Sequence, residues 1–396
     1  MILAARALLV DAHTWIEGGG LLVERGAVRR VLTSRRAVLR ARGTRVLELD
    51  GVLTPGLVDA HAHLELGALL GRVPSRAGFT GWVSALLAAR AHLGRAAFER
   101  GVRGGARALL ASGTTAIGDI DSTGTSARLA RALAPRLVVY REVLDAWDPA
   151  RTPGALRALA ERRPRGARVG AGLSPHAPYT TSRALLAGVR AASARHALPL
   201  AIHWAETREE GAWLERGTGP LAALLPSAPR RAGLALLDAA GLLGRRTALV
   251  HGNHPRPGEL ARLARRGVTL VHCPGTHAFF ERAPFPLARY RRAGVPLALG
   301  TDSLASNACL DMRREMALLR ASFPRLEPAA VFEIATANGA RALGLPIGHL
   351  RAGAAADAVQ WRLAARARAD ALEELTAGMP PVESVLVGGR IALPAP

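Results

Sequence analysis

The stretch 51–66 (GVLTPGLVDAHAHLEL) contains a short apolar run that begins after Pro55 and leads into two histidines, His61 and His63, separated by one residue. In a β-strand, side chains two residues apart point to the same face, so both imidazoles can be directed at one point. A short apolar run that stops abruptly in polar residues is typical of a buried parallel strand whose carboxyl end opens into a cleft. We therefore predict half of a metal site at the end of this strand, although core histidines are the structural alternative.

Three later stretches have the same form, with an imidazole or a carboxylate at or just after the end of an apolar, strand-like run. They are IHWAE with His203 and Glu206, VHGN with His251, and LGTDS with Asp302. Ligands that arrive from several strand ends at one face are what a parallel α/β barrel provides.

The middle of the chain alternates strand-like and helix-like stretches, as in βα repeats. The predicted strands are 57–59, 114–118, 137–141, 168–173, 200–203, 248–251, 269–271 and 297–300. Helices are predicted within 86–93, 98–110, 182–195, 259–266 and 312–321. Eight such units without a GxGxxG or Walker A loop favour a closed (β/α)8 barrel over an open nucleotide-binding sheet.

Both chain ends have short apolar runs interrupted by glycine and polar residues, a pattern that predicts β-strands. We infer that the two ends pair into one small sheet domain beside the barrel. The predicted division is 1–54 for the first part of this domain, 55–345 for the barrel and 346–396 for the second part.

The formal net charge of +22 would by itself suggest nucleic acid as a partner. However, the chain contains no lysine, so all 53 basic residues are arginine and can reflect a GC-rich coding sequence. The arginines are scattered and are not interleaved with aromatic residues, as they would be on a platform for single-stranded nucleic acid. Nucleic-acid binding on an inactive barrel is therefore kept only as the alternative from another functional class.

The chain has two cysteines, Cys273 and Cys309, whose spacing matches neither a metal motif nor a redox motif. The first residues lack the pattern of a signal peptide, and we predict no transmembrane helix. The predicted location is the cytoplasm, and a homodimer is compatible with the sequence.

The four residues His61, His63, His203 and Asp302 form a ligand set suited to Zn²⁺, with Fe²⁺ as the alternative. A metal held this way can lower the pKa of water to about 7 and make hydroxide available at neutral pH. Glu206, three residues after His203, can move protons beside the metal, and His251 can hydrogen-bond the hydroxide or a developing oxyanion.

The motifs PGLVDAHAHLEL, HWAE, VHGN and LGTDSLASN, in this order and spacing, resemble the amidohydrolase superfamily over nearly the whole chain. The HxxE motif is similar to that of the cytosine and nucleoside deaminase branch and of the related triazine chlorohydrolases. The resemblance implies a distorted (β/α)8 barrel with a small β-sandwich built from both chain ends.

The resemblance also implies roles for the site residues. His61, His63, His203 and Asp302 would bind one divalent metal, Glu206 would protonate a ring nitrogen, and His251 would polarise the attacking water. Asp302 would take the proton from that water. Members with two metals commonly bridge them through a carboxylated lysine, which this chain lacks, so we predict a single metal.

Several residues are candidates for contact with a small heterocyclic substrate: His176 in the SPHAPY loop, Glu65, Phe79, Trp82 and Arg141. Glu65 could instead be salt-bridged within the protein, and Arg141 could pair with its neighbour Glu142. The segment FTGW stands where adenosine-type deaminases of this branch often have Phe-x-Glu-Trp, and Gly81 replaces that glutamate. The chain is more similar here to aminodeoxyfutalosine deaminase.

The sequence thus predicts a metal-dependent hydrolase of C–N bonds other than peptide bonds. It would replace the exocyclic amine of a purine-like ring by oxygen and release ammonia. The alternative within enzymes is hydrolysis of chloride or of an amide on the same scaffold.

Overall fold

The computed structural model describes residues 1–41, 44–74, 78–161 and 163–393. Within these ranges the chain forms sixteen strands and fifteen α-helices. The strands are β1 (Ile2–Asp11), β2 (Thr14–Glu17), β3 (Gly20–Glu24), β4 (Ala27–Leu32), β5 (Val46–Pro55), β6 (Leu57–Ala62), β7 (Thr114–Asp121), β8 (Arg136–Val143), β9 (Val169–Pro175), β10 (Leu200–Trp204), β11 (Thr247–His251), β12 (Thr269–His272), β13 (Leu297–Leu299), β14 (Ala358–Trp361), β15 (Val382–Val387) and β16 (Arg390–Leu393).

The helices lie mostly between the strands of the middle part. They are α1 (Arg35–Arg40), α2 (Gly78–Ala91), α3 (Arg95–Ala111), α4 (Thr125–Leu129), α5 (Thr152–Ala158), α6 (Arg183–His196), α7 (Arg208–Arg216), α8 (Gly233–Ala239), α9 (Glu259–Arg266), α10 (Pro274–Phe279), α11 (Leu287–Ala293), α12 (Met312–Ser322), α13 (Pro328–Ala335), α14 (Ala337–Leu343) and α15 (Arg368–Ala377). Across the described ranges, no helix is both long and apolar enough to span a membrane.

Strands β6 to β13 form one parallel sheet in chain order. The sheet closes where Ala62 forms a parallel bridge with Asp302. There the N–H of Asp302 donates to the carbonyl of His61 at 2.9 Å, and the N–H of His63 donates to the carbonyl of Asp302 at 3.0 Å. The predicted (β/α)8 barrel is confirmed. The hydrogen bonds that close it join His61, His63 and Asp302, which are residues that we predict to bind metal.

Alternate residues of the barrel strands pack in two different environments, as the period of two in a strand requires. Inside the barrel, one cluster contains Val58, Ala116, Val138, Tyr140 and Ala201. Towards the surrounding helices, their neighbours Leu57, Ile117, Leu137, Val139 and Ile202 belong to the main core. The strands are apolar almost throughout because both of their faces are buried.

The two chain ends form the second sheet, with strand order β16-β15-β14-β5-β1-β3-β4 and β2 paired with β1. All of its pairs are antiparallel except β1 with β5. The predicted pairing of the two chain ends into one sheet is therefore confirmed. Strand β5 ends at Pro55 and β6 begins at Leu57, so the chain passes from the second sheet to the barrel between these two residues.

Three elements of the chain ends were not predicted: β2, α1 and α15. Helix α1 begins after Ser34, whose side chain accepts a hydrogen bond from the N–H of Ala37 at 3.2 Å. This is an ordinary helix N-cap that the sequence could have revealed. Helix α15 packs against α12 and α13 of the barrel, so the second chain end is not purely a β structure.

Candidate active site

Three histidines and one carboxylate meet at the carboxyl end of the barrel. His63 Nε2 lies 3.3 Å from His203 Nε2, and Asp302 Oδ1 lies 3.7 Å from Nε2 of both His61 and His63. Both ring nitrogens of His61 are buried without a hydrogen-bond partner among the described residues. Buried polar atoms of this kind need a partner, and imidazole with carboxylate is a ligand set for a divalent metal. The residues fit such an ion.

The pairing of β6 with β7 shifts register between Asp59 and Ala62, an irregularity of the β-bulge type that we call the bulge, and His61 within it points towards Asp302 inside the barrel. Val58 and Ala60 belong to inward-facing clusters, whereas Ala62 belongs to the core outside the barrel. Without the bulge His61 would face the helices, because side chains alternate along a strand. Asp59 stabilises the bulge by accepting hydrogen bonds from the N–H groups of His61 and Thr301, each at 3.1 Å.

Burial controls the protonation of these side chains. It lowers the pKa of His61, His63 and His251 well below the ordinary value, because the interior disfavours the charged imidazolium. Neutral imidazoles are the form that binds metal. His203 Nδ1 lies 2.8 Å from the carbonyl of His176. That carbonyl can only accept, so Nδ1 carries the proton and the lone pair of His203 stays on Nε2.

Glu206 lies beside this cluster and is held by Arg282. The Arg282 guanidinium donates to Glu206 Oε1 and to the backbone carbonyl of Glu206, each at 2.7 Å. Both side chains of the pair are 9% exposed. The other carboxylate oxygen, Oε2, lies 3.7 Å from His251 Nε2. The carboxylate therefore has one oxygen bound by arginine and a second oxygen directed towards the histidines, where it can carry a proton.

The backbone turns sharply at the strand ends that carry these groups. Ala205, His251 and Asp302 all have positive φ, at 49°, 72° and 59°. Non-glycine residues rarely adopt this conformation, and it persists only where surrounding contacts fix it. At Ala205 the contact is Glu210, which accepts hydrogen bonds from the N–H groups of Ala205 at 3.1 Å and Glu206 at 2.9 Å.

Aromatic side chains form a wall next to Glu206. The centre of the Phe280 ring lies 6.1 Å from the ring centre of Phe79 and 5.3 Å from that of Trp82. The guanidinium carbon of Arg282 lies 4.7 Å from the centre of the Phe280 ring. The indole N–H of Trp82 donates to the carbonyl of Ala305 at 3.1 Å. Helix α2 is thereby joined to the loops that follow β12 and β13.

The site lies on the face expected for a hydrolase barrel, and comparison with protein families agrees. The model of the amidohydrolase family matches residues 52–392. This chain belongs to the amidohydrolase family. The resemblance found in the motifs is confirmed.

This amidohydrolase is similar to a 5-methylthioadenosine/S-adenosylhomocysteine deaminase of Nitratidesulfovibrio vulgaris, with 32% identity over 372 residues that cover 90% of this chain and 81% of the relative. An aminodeoxyfutalosine deaminase of Deinococcus radiodurans is 33% identical over 328 residues, which cover 76% of each chain. A solved structure of an adenosine deaminase from Xanthomonas campestris with bound zinc has a TM-score of 0.83 at 27% identity, covering 100% of this chain and 93% of that one.

The amidohydrolase barrel brings most of the residues predicted from sequence to one place, but two of them, Glu65 and Arg141, are engaged by other residues of the protein. Glu65 has both carboxylate oxygens engaged, by Arg90, Ser122 and Thr123. Its ion pair with Arg90 matches the salt-bridged alternative, and its contact with a substrate stays a prediction. His176, in contrast, lies with its ring centre 4.8 Å from that of His203, and its Nδ1 lies 2.7 Å from Thr180 Oγ1.

Arg141 lies on the outer side of the barrel. It donates to the carbonyl of Ser122 at 2.9 Å and forms an ion pair with Glu161 at 3.0 Å. Neither the predicted substrate contact nor the pairing with Glu142 is supported, because successive residues of a strand point to opposite faces. Glu142 is the residue that points inward, and burial raises its pKa to about 7.

Four further residues of this amidohydrolase site were not predicted: Asp59, Glu142, Glu210 and Arg282. Asp59 stands two residues before the first histidine, so its position in the motif could have indicated a supporting role. Arg282 follows two phenylalanines in the loop after α10, and its contact with Glu206 spans 76 residues of sequence. No local pattern reveals a contact of that kind.

Proposed function

We propose that this amidohydrolase is a cytoplasmic, zinc-dependent deaminase of an adenine-type nucleoside that carries an extended substituent. The reaction replaces the exocyclic amine of the ring by oxygen: one water is consumed, the C–N bond breaks and ammonia leaves. The observation that carries the proposal is the position of Glu206, fixed by Arg282 beside a cluster of three histidines and Asp302.

The deaminase reaction requires a group that carries protons between water and the ring. Glu206 suits this role because Oε1 is occupied by Arg282, while Oε2 lies near His251. A carboxylate in this position can accept a proton from water and deliver it to a ring nitrogen. The similarity to deaminases over most of the chain supports the same reaction.

His61, His63, His203 and Asp302 would hold the metal. When bound, a divalent ion lowers the pKa of water to about 7 and supplies hydroxide at neutral pH. Zinc is proposed because three of the four ligands are imidazoles and because a similar adenosine deaminase contains zinc. Iron(II) accepts the same ligands, so metal analysis must decide between them.

The remaining groups position the reactants. His251 donates from a neutral imidazole towards the attacking oxygen, and Asp302 accepts a proton there. His176 is proposed to contact the heterocycle, and Phe79 with Trp82 supply an apolar wall for the extension. This assignment places the extended substituent on the side of the barrel mouth formed by α2.

Two observations support a substrate larger than adenosine: the names of the two relatives, and the aromatic wall of Phe79, Trp82 and Phe280. The names specify a methylthioadenosine or homocysteine derivative and an aminodeoxyfutalosine. Both are larger than adenosine, and an aromatic wall adds apolar contact area to such a ligand. Aminodeoxyfutalosine is our first candidate, which would connect the protein with menaquinone synthesis.

Cys273 and Cys309 are free thiols, which agrees with a reducing compartment. A homodimer remains a prediction, which light scattering of the purified protein can check.

The test is ammonia release by zinc-loaded protein over a panel of aminodeoxyfutalosine, 5-methylthioadenosine, adenosine, a chlorinated triazine and a simple amide. We expect ammonia from the nucleosides and no chloride or amide hydrolysis. Chloride release alone would assign the chain to chlorohydrolases, and salt-sensitive DNA binding without turnover would favour the nucleic-acid alternative.

A further inference from the structure

Glu142 on β8 and Ser174 on β9 are adjacent in the parallel sheet and lie near the carboxyl ends of their strands. Tyr140, two residues before Glu142, is packed inside the barrel. By strand alternation Glu142 points inward as well, while Arg141 between them points outward. The two polar side chains therefore lie at the inner face of the barrel mouth.

Neither side chain has its hydrogen bonds satisfied by the protein. Glu142 Oε1 and Ser174 Oγ are buried and have no partner among the residues that the structure describes. An oxygen of Glu142 lies within 4.8 Å of ring nitrogens of both His176 and His203. Glu142 is thus directed into the site already described, beside a residue proposed to contact the heterocycle.

The neighbouring arginines, Arg141 and Arg90, do not bind the Glu142 carboxylate. Arg141 is on the opposite face of the strand and is bound by Glu161. Arg90 is engaged with Glu65 and Ser122. A buried acceptor without a donor costs free energy, so an inward-facing carboxylate in a ligand site is most simply explained by a donor on the ligand.

We propose that Glu142 is a substrate-binding residue whose carboxylate accepts a hydrogen bond from an O–H or N–H group of the substrate, with Ser174 beside it. The inference rests on the proposed nucleoside deaminase function and extends it. The donor belongs to one of two parts of a nucleoside, the sugar hydroxyls or the amine of the base. Both offer the same chemistry, and substrate analogues separate them.

The experiment compares Glu142→Met, which removes the acceptor at similar volume, with Glu142→Gln, which keeps a neutral acceptor. The substrates are adenosine, 2′-deoxyadenosine, 3′-deoxyadenosine and 6-methoxypurine riboside, with kcat/KM measured at equal zinc content. Glu161→Met is the matched control, because it removes a carboxylate on the outer side of the barrel. Ser174→Ala tests the neighbouring group.

We expect the wild type to turn over the analogue that lacks the donor about 10- to 100-fold less efficiently than adenosine, the range for a hydrogen bond to an ionised group. In Glu142→Met the ratio of kcat/KM for adenosine to kcat/KM for this analogue should fall towards one. Glu142→Gln should restore part of the wild-type ratio. Glu161→Met should keep the wild-type ratio. A change confined to the deoxynucleosides identifies the sugar, and a change confined to the methoxy analogue identifies the amine.

An unchanged ratio in Glu142→Met, with the wild type active, would overturn the role of Glu142 and leave the deaminase function intact. Loss of zinc from both Glu142 variants would also overturn it, because Glu142 would then be a metal ligand. A wild type that turns over neither these nucleosides nor aminodeoxyfutalosine would overturn the deaminase function and the role of Glu142 together.

Discussion

Arg282 and Glu206 are joined by two hydrogen bonds of 2.7 Å, one to the side-chain carboxylate and one to the backbone carbonyl of the same residue. The guanidinium therefore fixes both the position of the residue and the rotation of its carboxylate. It also leaves Oε2 as the oxygen nearest to His251. The arginine acts as a positioning residue for the group that we propose to carry the proton.

Replacing Arg282 by methionine should impair both turnover and stability. We expect kcat to fall roughly 10²-fold, the typical cost of displacing a reacting group by about 1 Å. The free energy of unfolding should fall by about 3–5 kcal/mol, because a buried carboxylate loses its partner. Arg289→Met is the control, since Arg289 donates to the backbone carbonyl of Pro255. Equal kcat in the two variants would contradict the positioning role.

Glu206→Gln should keep the metal and lose turnover. The amide has nearly the same shape but cannot carry a proton, so we expect kcat to fall by at least the roughly 10² to 10⁴ that general acid–base catalysis contributes. Zinc content and kcat measured on the same preparation test this prediction. A variant with normal turnover would exclude Glu206 as the proton carrier.

The motif residues at the strand ends could be predicted because each ends an apolar run, and parallel strands bring such ends together. The bulge at Asp59 could not, because it depends on the hydrogen bond to Thr301, which is 242 residues away in sequence. The contact of Arg282 with Glu206 could not be predicted either, because 76 residues of sequence separate the two. The outward direction of Arg141 follows from the alternation of side chains along a strand, which a sequence does contain.

Glu210 should make stability depend on pH. Burial raises its pKa to about 8 from the ordinary 4.5, so folding favours the protonated form. Its contribution to stability is complete below pH 4.5 and is lost as the pH rises towards 8. Relative to Glu210→Gln, which cannot ionise, the wild type should lose up to about 1.4 kcal/mol per pH unit in this window. Urea unfolding of both proteins across this range is the measurement, and parallel curves would contradict the prediction.

Adenosine should be a poorer substrate than an adenine nucleoside with a large aromatic or carboxylate-bearing extension. Gly81 offers no side-chain acceptor for the sugar, whereas Phe79, Trp82 and Phe280 offer apolar contact area. The check is kcat/KM for adenosine and aminodeoxyfutalosine at identical zinc loading. If adenosine is equal or better, the chain is a general nucleoside deaminase.

The central claim, a single-metal deaminase, is tested most directly by titrating zinc into metal-free protein while ammonia release from aminodeoxyfutalosine is measured. His203→Ala serves as the control that cannot complete the ligand set. We predict that activity rises with zinc and reaches its plateau at one ion per chain, that each ammonia accompanies one product with oxygen in place of the amine, and that His203→Ala stays inactive. A plateau at two ions per chain, or full ammonia release without metal, would contradict the account.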